Sequence, residues 1–232
     1  MRLLAVDTST EACSVALLLG DDVTSRFELT ERSHADLVLP MVDALLAEAG
    51  VSLRDLDGLA FGRGPGAFTG LRIASGVVQG LALGAGLRVA PVSSLAAVAE
   101  QVRAAPGALV LACNDARMGE AYWAVFRKEG DGAVTPICAE SVSTPEQLAA
   151  GWPGIGHAAG NALPRFPVLA QRLAAAGVVL HPGVYPRAEA VARLGARLLA
   201  EGRGVDPQDA LPVYIRDDVA RPPAGSAVTG LS

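Results

Sequence analysis

Two polar stretches carry side chains suited to holding a phosphate. Asp7-Thr8-Ser9-Thr10 sets a carboxylate beside three hydroxyls where an apolar run ends, the hard oxygen donors that a magnesium-bound phosphate takes. The same residue types are also the ordinary material of a hairpin turn, and the residues alone leave the two readings level. Asp115 ends a second apolar run, Leu109 to Asn114, so Asp7, Thr8, Ser9 and Asp115 form a candidate phosphate site of degenerate type. Gly62-Arg63-Gly64-Pro65-Gly66-Ala67-Phe68-Thr69-Gly70 leads from a strand into a helix. Its glycines permit tight turns, and the free amides of the following helix could hold an anion. It has no Gly-Lys-Ser/Thr, and Thr69 stands where a dinucleotide fingerprint needs its third glycine. A rigid strand-to-helix corner would use the same residues. Gly154-Ile155-Gly156-His157-Ala158-Ala159-Gly160-Asn161 reads as a second glycine-rich turn.

Catalytic sets are not evident. Ser9, Ser14, Ser33, Ser75, Ser93 and Ser94 lack a Gly-x-Ser-x-Gly elbow. His34, His157 and His181 have no metal-ligand spacing among themselves or with Cys13, Cys113 and Cys138, so no metal site is expected. The cysteines lie in apolar stretches and read as structural thiols of a reducing cytoplasm. Ser33 and Asp36 around His34 suggest a capping-box variant at a helix start.

The 232 residues suffice for one large domain or two small ones. The chain is 51% hydrophobic, with a formal net charge of −5 and Lys128 as its only lysine. An acidic chain without a basic run makes a poor autonomous nucleic-acid binder, because phosphate neutralisation supplies most non-specific affinity. The longest uncharged central run, between Arg72 and Arg88, is fifteen residues with four glycines, too short for a membrane span. Asp7 and Glu11 break the N-terminal apolar run, so no signal peptide is visible and a cytoplasmic location is expected.

The elements that must position these residues come in two matching sets. Residues 3–19 and 109–126 each read as a buried strand ending in Asp, a short polar turn and a second apolar strand. After the first pair, the pattern predicts a strand at 23–29, a helix at 34–49, a strand at 58–62, a helix at 69–84, a strand at 87–91 and a helix at 94–104. After the second, it predicts a strand near 133–140, a short helix from Pro145, a strand around 154–157, a helix near 164–176, a strand at 178–181 and a helix at 187–201. Both halves therefore run strand-strand-strand-helix-strand-helix-strand-helix. This is the order of the RNase H-like unit, and two in tandem resemble the superfamily of actin, sugar kinases and heat-shock ATPases. There the Asp ending the first strand of each half faces a nucleotide phosphate and its metal, and the place of the second glycine-rich turn usually holds adenosine. The expected fold is α/β, a tandem pair of RNase H-like domains in an actin-like ATPase fold with a shortened second domain. Residues 1–105 make the first domain and 106–216 the second, whose last helix could pack back on the first. Residues 217–232 form a mobile tail.

Two helices are more apolar than one sheet requires. Residues Ala35, Leu37, Val38, Leu39, Met41, Val42, Leu45, Leu46 and Ala49 cover roughly 200° of the 34–49 helix, with Pro40 expected to kink it or break its first turn. In the 69–84 helix Arg72, Ser75 and Gln79 cluster on one side, while Gly76, Gly80 and Gly84 form an i, i+4 ridge. Each interior glycine costs ~1 kcal/mol relative to Ala, so something should approach that ridge closely. Either neighbouring helices of the same chain bury the surplus, or the two helices present a shared apolar face to another subunit.

The opening Asp7-Thr8-Ser9-Thr10 with Cys13-Ser14-Val15-Ala16 resembles that of the bacterial TsaB (YeaZ) family. So do Ser33-His34 with Leu39-Pro40-Met41, and Gly64-Pro65-Gly66-Ala67-Phe68-Thr69-Gly70-Leu71-Arg72-Ile73. Asp115-Ala116-Arg117-Met118-Gly119-Glu120-Ala121-Tyr122 and Pro212-Val213-Tyr214-Ile215-Arg216 extend the match along nearly the whole chain. The resemblance implies a non-catalytic subunit that pairs with a larger catalytic paralogue, TsaD. With a small ATPase, TsaE, they install threonylcarbamoyladenosine beside the anticodon of tRNAs reading A-starting codons, from threonylcarbamoyl-AMP. The paralogue's His-x-x-x-His metal pair has no counterpart here, where the stretch reads Pro91-Val92-Ser93-Ser94-Leu95-Ala96-Ala97-Val98. First-domain helices form the family's docking surface, which maps the partner interface onto His34, Leu37, Val38, Met41, Leu45, Arg72, Ile73, Gly76, Val77, Gly80 and Gly84. A homodimer through these helices is expected when the partner is absent, and tRNA is met only within the complex. No cofactor is expected for this chain itself, with a nucleotide at the subunit junction left open. The alternative is an autonomous ATPase or small-molecule kinase with Asp7, Thr8 and Asp115 around magnesium.

Overall fold

The computed structural model describes residues 1–30, 34–148 and 153–216; Ser33, the expected helix cap, and the expected mobile tail lie outside them. The first half builds a five-stranded mixed sheet from β1 (Arg2–Asp7), β2 (Ala12–Leu19), β3 (Asp22–Leu29), β4 (Gly58–Gly64) and β5 (Val89–Ser93), in the order β3-β2-β1-β4-β5. β1 and β2 pair antiparallel from Arg2↔Leu19 to Asp7↔Ser14, and β4 lies parallel to β1. β1 is buried on both faces, as a near-continuous apolar run in a central strand requires. Leu4 and Val6 meet α1 (His34–Ala49) and α2 (Phe68–Ala85), while Leu3 and Ala5 meet α7 (Ala188–Ala200) on the other side.

The second half repeats the plan. Its sheet comprises β6 (Leu109–Asp115), β7 (Ala121–Lys128), β8 (Val134–Pro136), β9 (Ser141–Ser143), β10 (Ile155–Gly160) and β11 (Val179–Pro182), ordered β11-β10-β6-β7-β8 with β9 also on β7. One face carries α4 (Pro145–Leu148), α5 (Ala162–Arg165) and α6 (Pro167–Ala175); the other carries α3 (Ser94–Glu100) through Leu95, Val98 and Ala99. The helix that closes the first half thus covers the second sheet, and α7 from the second half covers the first. α4 is described over the four residues Pro145–Leu148, where α1 has sixteen.

Several boundaries differ from expectation. The single strand expected near 133–140 is confined to β8, with β9 following beyond it: the Ile137 N–H still donates to the Val125 carbonyl at 2.8 Å, but the Val125 N–H goes to Cys138 Sγ at 3.3 Å, and Glu140 turns inward to pair with Arg63 at 2.9 Å. The helix expected at 164–176 is broken between α5 and α6, because Phe166 precedes Pro167 and a residue before proline avoids helical backbone. The expected glycine-rich turn at 154–161 is mostly strand β10, pairing with β6 and β11. The helix expected at 94–104 ends at Glu100, where the buried Lys128 Nζ donates to the Glu100 carbonyl at 2.8 Å. Pro40 lies inside a continuous α1; both it and Asp36, whose carbonyl it leaves without a donor, are solvent-exposed. No helix among the described residues is long and apolar enough to cross a membrane.

Candidate functional site

The turn after β1 is closed over by the loop that leads into α2. Asp7 and Thr8 are fully buried and Ser9 nearly so. Asp7 Oδ1 accepts from the Ser9 N–H at 2.9 Å and the Ser9 hydroxyl at 2.7 Å, and the Ser94 hydroxyl lies 3.4 Å from Oδ2. The Thr8 hydroxyl donates to the Gly70 carbonyl at 2.7 Å, and the Ala67 N–H donates to the Ser9 carbonyl at 2.7 Å. A Cβ on Gly66 would fall 2.2 Å from the Ser9 oxygen, and one on Gly70 would fall 1.9 Å from the Thr8 oxygen. These two glycines serve close approach of one backbone to another, which is the corner reading of the loop. Burial raises the Asp7 carboxyl above its ordinary range, against the lowering effect of the Ser9 and Ser94 hydrogen bonds. A magnesium-bound nucleotide does not fit here, since the oxygens that would receive it are already bonded within the chain and sealed from solvent.

Asp115 stays apart from that turn. Its Oδ1 accepts the Arg117 N–H at 2.9 Å, and its Oδ2 lies 3.3 Å from Arg117 Nη1 and 3.9 Å from Arg165 Nε. It lines a cleft of about 660 Å³ bounded by the β1–β2 turn, the start of α2, the β6–β7 turn and residues 213–216. The β6–β7 turn places Arg117 (φ 63°) and Met118 (φ 54°) in left-handed backbone, closed by the Ala116 N–H on the Glu120 carbonyl at 2.9 Å. His34, expected on the partner face, instead borders this cleft with Nε2 2.8 Å from the Thr10 carbonyl. That nitrogen therefore carries the proton. Among the described residues no three His, Cys, Asp or Glu side chains come together as a metal-holding group.

The polar side of α2 is taken up by a C-terminal strap that sequence reasoning missed. After a 3-10 turn at Pro207–Asp209 the chain runs back along α2. Ser75 Oγ and Gln79 Nε2 both donate to the Ala210 carbonyl, at 2.6 and 3.2 Å. Arg72 Nε donates to the Tyr214 hydroxyl at 3.1 Å, and the Val213 N–H donates to the Arg63 carbonyl at 2.8 Å. Arg216 reaches across to pair with Glu120. The available signal was the row Arg72, Ser75 and Gln79, together with the Pro212–Arg216 stretch.

The side of α2 turned away from its buried face is open. Gly76, Gly80 and Gly84 are exposed, and a Cβ added at any of them meets nothing within 4 Å. Beside them Ile73 and Val77 are half-buried, and Leu83 is 75% exposed. On α1, Leu37 and Met41 are half-buried and Leu39 is exposed. Val38 and Leu45, expected at the partner face, are at most 1% exposed. They belong to the chain's own core, since they point at the sheet side of the helix with Val42.

Comparison with known proteins adds four findings. Residues 23–176 match a family described as TsaD, tRNA N6-adenosine threonylcarbamoyltransferase. The tRNA threonylcarbamoyladenosine biosynthesis protein TsaB of Escherichia coli is 42% identical over 230 residues, covering 95% of this chain and 96% of that one. Among solved structures, YeaZ from Pseudomonas aeruginosa is 44% identical with a TM-score of 0.82, covering 92% of this chain and 99% of that one. The activator of 2-hydroxyisocaproyl-CoA dehydratase from Clostridium difficile, with bound ADPNP, is 8% identical with a TM-score of 0.50 over 88% of this chain and 97% of that one. The last shares the fold alone, the tandem actin-like arrangement that the repeated strand order also displays.

Proposed function

Because the chain belongs to the TsaB (YeaZ) family of tRNA threonylcarbamoyladenosine biosynthesis proteins, we propose that its task is association rather than catalysis. It docks through α1 and α2 on a TsaD-type catalytic paralogue and holds that partner's cleft in its competent geometry. The paralogue then transfers the threonylcarbamoyl group from threonylcarbamoyl-AMP to the adenosine beside the anticodon of tRNAs reading A-starting codons. The small ATPase TsaE joins the same cytoplasmic assembly, and tRNA is met within it.

The observation that carries this reading is the glycine ridge of α2, three interior glycines with open space before them. Interior helical glycines cost stability, and nothing among the described residues uses the room they leave. A second helix crossing there would use it, with Ile73, Val77, Leu37 and Met41 as the apolar surround and Arg72 at the edge where the strap begins. The same face would serve self-association in the partner's absence. Activation of the partner needs only a difference in affinity between the partner's conformations. The kinase alternative loses support from the sealed state of Asp7, Thr8 and Ser9.

Gly80→Leu fills the ridge without touching the core, so it should abolish co-purification with the catalytic paralogue while the circular dichroism spectrum and melting behaviour stay native. Undiminished pairing by a folded Gly80→Leu chain would refute the docking face.

A further inference from the structure

The mouth of the cleft carries a chemistry unlike that of the glycine ridge. The chain has ten aromatic side chains, five Phe, three Tyr and two Trp. Two of them stand exposed side by side at this mouth: Phe68 and Tyr214, each 41% accessible, with ring centroids 5.2 Å apart. The Arg72 guanidinium lies 3.9 Å above the Phe68 ring and bonds the Tyr214 hydroxyl, so the three planar groups form one stacked, tilted cluster. Across the cleft Arg117 and Arg165, both about two-thirds exposed, share the single Asp115 carboxylate. Arg216 is matched by Glu120, and Glu11 also lines the cleft while receiving the Asn161 amide. Exposed aromatic and guanidinium planes beside solvent-exposed arginines are what an unstacked base and its neighbouring phosphates require. A protein partner is better served by the apolar ridge.

We propose that this mouth is a contact site for single-stranded RNA, with one base lying against the Phe68–Arg72–Tyr214 cluster and adjoining phosphates on Arg117 and Arg165. The inference rests on the tRNA-modifying assembly proposed above and assigns to this chain a share of the RNA grip. The net charge of −5 keeps that share small in the isolated chain, so the test belongs in the complex.

Wild type, the double variant Arg117→Ala/Arg165→Ala, and Tyr214→Leu and Tyr214→Phe are each assembled with the catalytic paralogue. Each is titrated with a fluorescein-labelled RNA stem-loop by fluorescence anisotropy across a salt series. The double variant should flatten the log-log salt dependence by roughly 1.4, about 0.7 for each phosphate no longer neutralised. Tyr214→Leu should weaken binding roughly tenfold at every salt concentration with the slope unchanged, and Tyr214→Phe, which keeps the ring, should bind as wild type. Unchanged affinity and slope in complexes that still co-elute would overturn the proposal, as would failure of the variants to co-elute, which would make the mouth a protein-binding surface. If the wild-type chain fails to assemble, it is the docking reading that falls. Low-salt titration of the chain alone then decides the RNA site, by loss of binding in the double variant or its retention.

Discussion

Asp7 shows how little residue type says about role. The turn Asp7-Thr8-Ser9 reads equally as a phosphate cradle or as a hairpin. What separates the two is distance: a Cβ at Gly62 would fall 1.8 Å from Asp7 Oδ2, so the next strand already fills the space a phosphate would need. Asparagine can keep both Ser9 bonds through its side-chain oxygen and donate to Ser94 from its amide. Asp7→Asn should therefore fold. Burial raises the folded-state carboxyl of Asp7, so its contribution to stability is full at pH below the unfolded carboxylate range. That contribution is lost as pH rises through the folded value, at up to ~1.4 kcal/mol per pH unit. Urea denaturation should accordingly find Asp7→Asn level with wild type in acid and progressively more stable towards neutrality. Isothermal titration of both with Mg-ATP should show no binding heat, and tight binding abolished by the substitution would restore the kinase reading.

Among the elements, α2 and α7 make opposite uses of glycine. Gly195 in α7 sits so near the first sheet that an added Cβ would lie 2.5 Å from Ala60 Cβ, so its cost is offset by close packing. The ridge glycines of α2, Gly76, Gly80 and Gly84, have no such neighbour. Gly80→Ala should thus raise the free energy of unfolding by ~1 kcal/mol and the melting temperature by roughly 2–4 °C. Differential scanning calorimetry on dilute monomer reads this directly, and a destabilised Gly80→Ala would mean that the ridge is packed after all. The ridge itself was legible from the i, i+4 spacing of Gly76, Gly80 and Gly84, and the element order of both halves from apolar periodicity and Gly or Pro punctuation. Which side of α1 the core would claim was not legible, because Val38 and Leu45 share an apolar arc with Leu37 and Met41 too broad to divide by pattern. The strap was hidden for another reason: residues 207–216 have no periodicity, and their anchoring depends on single carbonyls such as that of Ala210.

At the scale of the molecule the repeat in the sequence suggests two units meeting near Gly107, but the helices between the sheets are exchanged. α7 buries Ala188, Val191 and Ala192 against Leu3, Ala5, Ala60 and Ala90 of the first sheet, while α3 lies against Val110, Ala112 and Phe126 of the second. Lys128, the only lysine, bonds the carbonyl at the end of α3 from within the second sheet and is 4% exposed there, and Arg63 pairs with Glu140 across the halves. A fragment ending at residue 105 would leave one face of its sheet bare, at about 25 cal/mol for each Å² of apolar surface returned to water. It should lack a dispersed amide NMR spectrum and a cooperative melt. Co-expression with a second fragment covering 106–216 should restore both, since that piece brings α7. The intact chain should melt in a single transition, calorimetric and van't Hoff enthalpies agreeing. Two separate transitions, or a folded 1–105 fragment, would show that the exchanged helices decorate two independent domains instead of joining them.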